Sequence, residues 1–319
     1  MPSDTLRILY AGNPELSVET FEELCSHFDV AGVLTHPDQV VKRGRLQPMP
    51  VKEAAIRRNV PVIEAERLTG EVRDAVRQLQ PNLLISFATS HYFGEKFLSL
   101  FSLGAFNIHP SLLPLHRGPS PIQFTILNQD TKGGISIQHI VKEIDSGDIL
   151  NQIEFEIAKD ETTESLSNRV SSLAAAMAVE TFSDFDLYKS KQWEQDHSRA
   201  TFTRMFTKED GLINWDQSRN ALSAHIRAMY PWPKAYTYFD QTPLIITEEG
   251  GECDQVNDSY LPGTVVSFEK KKGLKIACAD SFIYVKRLQL SKKKEMDSAS
   301  FVNGNRQILN TRLGEYENL

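Results

Sequence analysis

The chain has 319 residues, 40% of them hydrophobic, which is material for about two domains. Its net charge of −7 excludes a protein coated in positive charge for indiscriminate nucleic-acid binding. No apolar run reaches the roughly 18 residues of a membrane-spanning helix, and three scattered cysteines, Cys25, Cys253 and Cys278, offer neither a CxxC pair for zinc nor a disulfide framework.

The start, "MPSDTLRILYAG", lacks the basic, apolar, small-residue order of a signal peptide, so a cytoplasmic protein without membrane contact is expected. "LRILYAG" (6–12) is a short apolar run closed by Ala-Gly, as in a buried parallel strand. "ELSVETFEELCSHF" carries Leu16, Phe21, Leu24 and Phe28 near helical spacing, and "VAGVLTH" (30–36) is the next strand. "VKEAAIRRN" reads as helix, "VPVIEA" as extended, "TGEVRDAVRQLQ" as helix, and "NLLISFA" and "GAFNIHP" as strands. The alternation predicts an open, mostly parallel, Rossmann-like α/β sheet with helices on both faces. Ligands of such sheets sit outside the carboxyl ends of the strands. "YAGNPELS" is not GxGxxG, and no GxxxxGK[ST] occurs, so no nucleotide cofactor is expected.

Two more strands, "GGISIQHI" (133–140) and "DILNQIEFEI" (148–157), precede a long helix with Leu166, Val170, Leu173 and Met177 on one face. "YKSKQWEQDHSRATFTRM" is polar and aperiodic, and 188–206 is the expected linker between a domain at 1–187 and another at 207–319. One helix near "SRNALSAHIRAM" then leads into "AYTYFD", "TPLIITEE", "GTVVSFEK", "GLKIACAD" and "SFIYVKRLQL". These short alternating runs, cut by Gly, Pro and Asp, predict a small β-barrel or sandwich. From Thr207 onward Lys+Arg and Asp+Glu number 15 each, so the negative excess belongs to the first part and a local basic patch fits the second.

The most informative stretch is "FNIHPSLLPLHRGPSPI" (106–122). On a strand, Asn107 and His109 point to the same face, and Pro110 ends the strand by removing a backbone donor. Two polar side chains thus meet at a strand's carboxyl end. "SLLP" (111–114) offers two apolar side chains on a proline-constrained segment, suited to a flat ring. Further on, "KEIDSGDIL" contains the turn residues Asp145-Ser146-Gly147-Asp148. Read singly, each feature equally describes a core histidine or a solvated turn. Read together, Asn, His and Asp suffice for acyl transfer: an amide N–H for an oxyanion, an imidazole for a proton, a carboxylate to orient and balance it.

"NIHPSLLPLHRGPSPI" followed by "IDSGDIL" strongly resembles the formyltetrahydrofolate-dependent formyltransferases. The resemblance implies that Asn107, His109 and Asp145 are catalytic, that Ser111, Leu112, Leu113 and Pro114 line the folate pocket, and that 10-formyltetrahydrofolate donates the formyl group. "LRILYAGNPELS", "THPDQVVKRGRLQPMPVKEAA", "FTKEDGLINW", "IRAMYPWPKA", "LPGTV" and "LSKKKEMDSASFVNGNR" extend the likeness over nearly the whole chain. They resemble the members that formylate methionyl-initiator tRNA, whose second domain is an OB-like barrel. For that branch the implied tRNA contacts are Lys42, Arg43 and Arg45 in the first domain and Lys270, Lys271, Lys272, Lys292, Lys293 and Lys294 in the second. "VKRGRLQP" departs from the family's "GRGKK"-like run by being about one residue shorter, while keeping three cations. No metal is expected, and the protein is expected to act as a monomer. The rival acceptors within the family are a sugar amine, glycinamide ribonucleotide and water.

Overall fold

A computed structural model of the protein describes residues 5–40, 46–251 and 256–314. The chain divides into two compact units. The first comprises Met1–Ile122, Lys132–Ile157 and Leu166–Arg204; the second comprises Gln123–Thr131, Ala158–Ser165 and Met205–Leu319.

The elements run β1 (Arg7–Gly12), α1 (Val18–His27), β2 (Asp29–Thr35), β3 (Gln39–Val40), β4 (Leu46–Gln47), α2 (Pro50–Arg57), β5 (Val62–Glu64), α3 (Gly70–Leu79), β6 (Leu83–Phe87), α4 (Glu95–Leu98) and β7 (Gly104–His109). They continue with α5 (Pro121–Leu127), β8 (Lys132–His139), β9 (Ile149–Glu156), α6 (Thr163–Ser183) and α7 (Phe185–Ser190). One sheet of the first unit has the order β5-β2-β1-β6-β7-β8-β9. β5, β2, β1, β6 and β7 pair in parallel, and β8 and β9 extend the edge antiparallel. The doubly covered centre explains the continuous apolar runs: Ile8–Ala11 and Leu83–Ile85 are fully buried.

Helix boundaries follow local chemistry. Thr69 caps α3 by accepting from the Val72 N–H, and Pro50 opens α2 where a missing N–H costs nothing. Phe93, Phe97 and Phe101 pack with Leu9, Leu34, Leu84 and Ala105 on one side of the sheet. Ala105, Asn107 and His109 alternate onto that same face of β7. The apolar support therefore gives way to polar side chains toward the strand's carboxyl end.

Residues 188–206 are expected as a linker; the first unit runs to Arg204, and hydrogen bonds tie this stretch into it as far as Thr203. Trp193 exchanges backbone bonds of 2.8 and 3.1 Å with Ile149 on the edge strand β9. The Arg117 N–H donates to the Thr201 carbonyl (2.9 Å), and the Thr203 N–H donates to the Arg117 carbonyl (2.7 Å). These are isolated bonds rather than a helix or ladder, so they impose no hydrophobic period on the sequence.

The second unit holds α8 (Arg219–Ala228), β10 (Ala235–Phe239), β11 (Thr242–Glu249), β12 (Val265–Glu269), β13 (Gly273–Ala277), β14 (Phe282–Leu290), β15 (Met296–Asp297) and α9 (Ser298–Gly304). Its sheet is antiparallel, in the order β10-β11-β14-β13-β12, with β15 also on β14. Leu244, Ile246, Ile276, Val285 and Leu288 are buried, as is Phe301 of α9. Ser218 and Asp297 cap α8 and α9. Among the described residues no helix is long and apolar enough to cross a membrane.

Candidate active site

β7 delivers Asn107 and His109 to one face, and the loop between β8 and β9 delivers Asp145. The Ser86 hydroxyl donates to Asn107 Oδ1 (2.7 Å), which turns the amide nitrogen toward Asp145 Oδ1 at 3.4 Å. An amide nitrogen carries two N–H groups. One therefore remains for a substrate oxygen.

His109 is only 4% exposed. Its Nε2 lies 2.9 Å from the His116 carbonyl, which only accepts, so this nitrogen carries the proton. Nδ1 then faces Asp145 Oδ1 at 3.6 Å. That spacing is too long for a hydrogen bond, and both atoms are acceptors while Nδ1 is bare; the bond forms only once Nδ1 takes up a proton and the two close by a small movement.

Asp145 sits at φ +53°, in the left-handed region. Its Oδ1 accepts from Gln138 Nε2 (2.8 Å) and its Oδ2 from the Gly118 N–H (2.8 Å). Gly118 has φ +106°, and a Cβ there would stand 2.9 Å from the Thr203 carbonyl, so glycine is required. At Gly147 a Cβ would come within 2.0 Å of the His139 carbonyl. The turn around Asp145 is thereby closed onto β8.

A buried network stands behind this carboxylate. Gln195 Nε2 lies 3.0 Å from the Asp145 carbonyl, 2.7 Å from that of Gly147 and 3.2 Å from Gln138 Oε1. Arg117 donates to Gln195 Oε1 from Nε (3.2 Å) and Nη2 (2.7 Å). Burial pushes the Arg117 guanidinium below its ordinary value, and the Asp145 charge pulls the other way. Arg117 and Gly118 fall within the 107–122 motif without an assigned role, and Ser86, Gln138 and Gln195 carry no motif in the sequence; only the pairing of β6, β7 and β8 and the path of residues 193–203 bring them to the trio.

The Ser111–Pro114 segment follows β7 and folds against β8 and β9. Ser111 Oγ donates to the Leu115 carbonyl (2.6 Å), and Ser136 Oγ donates to the Ser111 carbonyl (2.7 Å). Leu113 is buried, and Leu112 lies over Gly134, where a Cβ would meet Leu112 Cδ2 at 2.2 Å. Part of the apolar surface expected for a ring is therefore used in packing.

A separate cleft of about 480 Å³ includes Leu68, Arg73, Tyr92, Lys96, Phe97 and Lys142 in its lining. Lys142 lies three residues before Asp145 in the same loop, and Phe97 belongs to the cluster under β7. Tyr92 is 65% exposed. No sequence pattern marked this cleft.

Lys42, Arg43 and Arg45 lie outside the described residues. Lys270, Lys271 and Lys272 are exposed on the turn from β12 to β13, with Lys272 Nζ 4.9 Å from the centre of the Tyr284 ring. Lys292, Lys293 and Lys294 are exposed on the turn from β14 to β15. Leu274 pairs with Val285, so the first turn borders the middle of β14 while the second follows its end. Among the described residues no three His, Cys, Asp or Glu side chains gather to hold a metal ion.

Residues 11–182 match the formyl transferase family, and residues 205–306 match the formyl transferase C-terminal domain. The chain belongs to the formyl transferase family. Within it, the chain is 34% identical over 305 residues to methionyl-tRNA formyltransferase of Borrelia turicatae, covering 95% of this chain and 98% of the relative. It is 33% identical over 306 residues to that of Staphylococcus aureus, covering 95% and 97%. Among solved structures, an N-formyltransferase from Helicobacter canadensis in complex with folinic acid and dTDP-3-aminofucose has a TM-score of 0.62 at 17% identity, covering 92% of this chain and 100% of that one. HypX of Aquifex aeolicus in complex with tetrahydrofolic acid has a TM-score of 0.62 at 14% identity, covering 99% of this chain and 50% of that one. At those identities the likeness is one of fold.

Proposed function

We propose that the protein transfers the formyl group of 10-formyltetrahydrofolate to the amino group of methionyl-initiator tRNA, giving N-formylmethionyl-tRNA for translation initiation. One observation carries the reading. A chain that matches methionyl-tRNA formyltransferases over 95% of its length also gathers Asn107 and His109 within 3.6 Å of the Asp145 carboxylate. The much higher identity to methionyl-tRNA formyltransferases, 34% against 17% for the N-formyltransferase in complex with dTDP-3-aminofucose, speaks for tRNA over a sugar amine.

The neutral amine attacks the formyl carbon, and the carbonyl electron pair moves onto oxygen. The second N–H of Asn107 stabilises that oxygen. His109 Nδ1 and Asp145 lie together, so the proton released by the amine moves between them and on to N10 of the folate. The carbonyl then re-forms and the C–N10 bond breaks. No metal takes part in this scheme. Losing one oxyanion donor typically costs about 2.7–4 kcal/mol, or roughly 10²–10³ in rate.

The pterin lies against Ser111, Leu112, Leu113 and Pro114. The aminobenzoyl-glutamate end of the donor fits the neighbouring cleft, where Tyr92 offers a flat face and Arg73, Lys96 and Lys142 offer cations to carboxylates. Lys42, Arg43 and Arg45 meet the acceptor end of the tRNA. Lys270, Lys271, Lys272, Lys292, Lys293 and Lys294 meet phosphates; such contacts position rather than specify. The protein acts as a monomer in the cytoplasm.

The test is formyl transfer from 10-formyltetrahydrofolate with charged initiator tRNA, elongator Met-tRNA, a UDP-amino-sugar and water as acceptors. Transfer confined to initiator tRNA is expected. Transfer to the sugar, or deformylation without any acceptor, overturns the reading.

A further inference from the structure

We infer that Gln195, fixed by the buried guanidinium of Arg117, is a positioning residue that holds the Asp145 carboxylate in its reactive geometry; this rests on the proposed catalytic role of Asp145. Gln195 lies between the two matched family segments, in a stretch without any sequence pattern.

Both Arg117 and Gln195 are 5% exposed. No carboxylate oxygen lies within 4.0 Å of the Arg117 guanidinium among the described residues. Instead it gives two N–H groups to Gln195 Oε1 and one, at 2.8 Å, to His197 Nδ1. A guanidinium only donates, so it admits one orientation of the Gln195 amide, with oxygen inward. The nitrogen must then face the Asp145 and Gly147 carbonyls and Gln138 Oε1.

That choice propagates. Gln138 must present its oxygen to Gln195, which leaves its nitrogen for Asp145 Oδ1. The Gly118 N–H, next in the chain to Arg117, orients Oδ2. Both carboxylate oxygens are thus set by groups that trace back to one buried cation. Two amide dipoles, aligned head to tail, carry its field toward the carboxylate. Reversing the Gln138 amide would aim its oxygen at the anion, and reversing that of Gln195 would aim an oxygen at the Asp145 and Gly147 carbonyls.

Gln195→Glu separates positioning from mere packing. The carboxylate keeps the Arg117 contact and loses every donor to the Asp145 turn. We expect a folded full-length enzyme whose kcat falls about 10- to 100-fold, as for leaving buried acceptors without their donor. Both KM values should stay within about 2-fold. In the Asp145→Asn background the same change should add nothing. Wild-type kcat for Gln195→Glu overturns the inference, as does a lowered unfolding temperature with kcat intact. Should Gln195→Glu not fold, Gln195→Met is read against the same outcomes, and failure of both to fold means that the glutamine serves the fold alone. If Asp145→Asn itself turns over like the wild type, the catalytic reading fails, whatever Gln195 does.

Discussion

At the residue scale, the trio is under-connected in a useful way. His109 spends Nε2 on the His116 carbonyl, and Asn107 spends its oxygen on Ser86. What remains, one imidazole nitrogen and one amide N–H, is the pair a tetrahedral intermediate needs. Asn107→Ala, His109→Ala and Asp145→Ala should each lose at least about 10² in kcat while folding normally. Rapid-quench formyl transfer beside circular dichroism measures both, and near-wild-type turnover removes that residue from the scheme. Gly118→Ala should also lose activity and stability, because the methyl group meets the Thr203 carbonyl at a backbone angle that suits glycine. A normal unfolding temperature for this variant would show that the loop relaxes without consequence.

At the element scale, strands supply positions and loops supply chemistry. β6 and β7 bring Ser86 beside Asn107, and the turn between β8 and β9 folds back to place Asp145 over both. The cleft beside it depends on α3, α4 and the segment joining β6 to α4. Changing Lys96 and Lys142 together to Glu should raise the donor KM several-fold and leave the KM for tRNA unchanged. An unaltered donor KM would move the folate tail elsewhere. In the second unit, the turn from β12 to β13 and the turn from β14 to β15 are separate sites. Replacing the three lysines of one turn by Gln should flatten the salt dependence of tRNA binding by about 2 in log–log slope if all three meet phosphates. An unchanged slope assigns that turn to solvent.

At the scale of the whole molecule, acid sensitivity traces to one histidine in each unit, His91 buried and His225 half-buried. Burial pushes His91 in the first unit and His225 in the second below their ordinary values. Each is held neutral by folding, so its contribution is present above the unfolded value, about 6.5, and is lost as pH falls. The unfolding temperature should therefore drop between about pH 7.5 and 5.5, and less steeply in the His91→Asn, His225→Asn double variant. An equal drop in both proteins assigns the acid sensitivity to other groups. Core truncations act more bluntly: Phe97→Ala, beneath β7, should cost about 3–5 kcal/mol.

The sequence by itself determined most strands and the longer helices, and placed Asn107 and His109 on one face of a strand. Buried parallel strands have to be continuous apolar runs, and amphipathic helices have to repeat near 3.6, so both patterns are local and readable. The Asn107–His109 spacing is likewise local, because a strand fixes which side chains share a face. Tertiary structure alone decided how those groups are held. Gln138 and Gln195 lie 57 residues apart and meet only when the stretch after α7 returns to β9, a stretch whose isolated hydrogen bonds leave no period in the chain. The cleft at Tyr92 and Lys142, and the placing of the two lysine runs on two different turns beside β14, arise in the same way: from strand register and loop path, which no single segment of the sequence specifies.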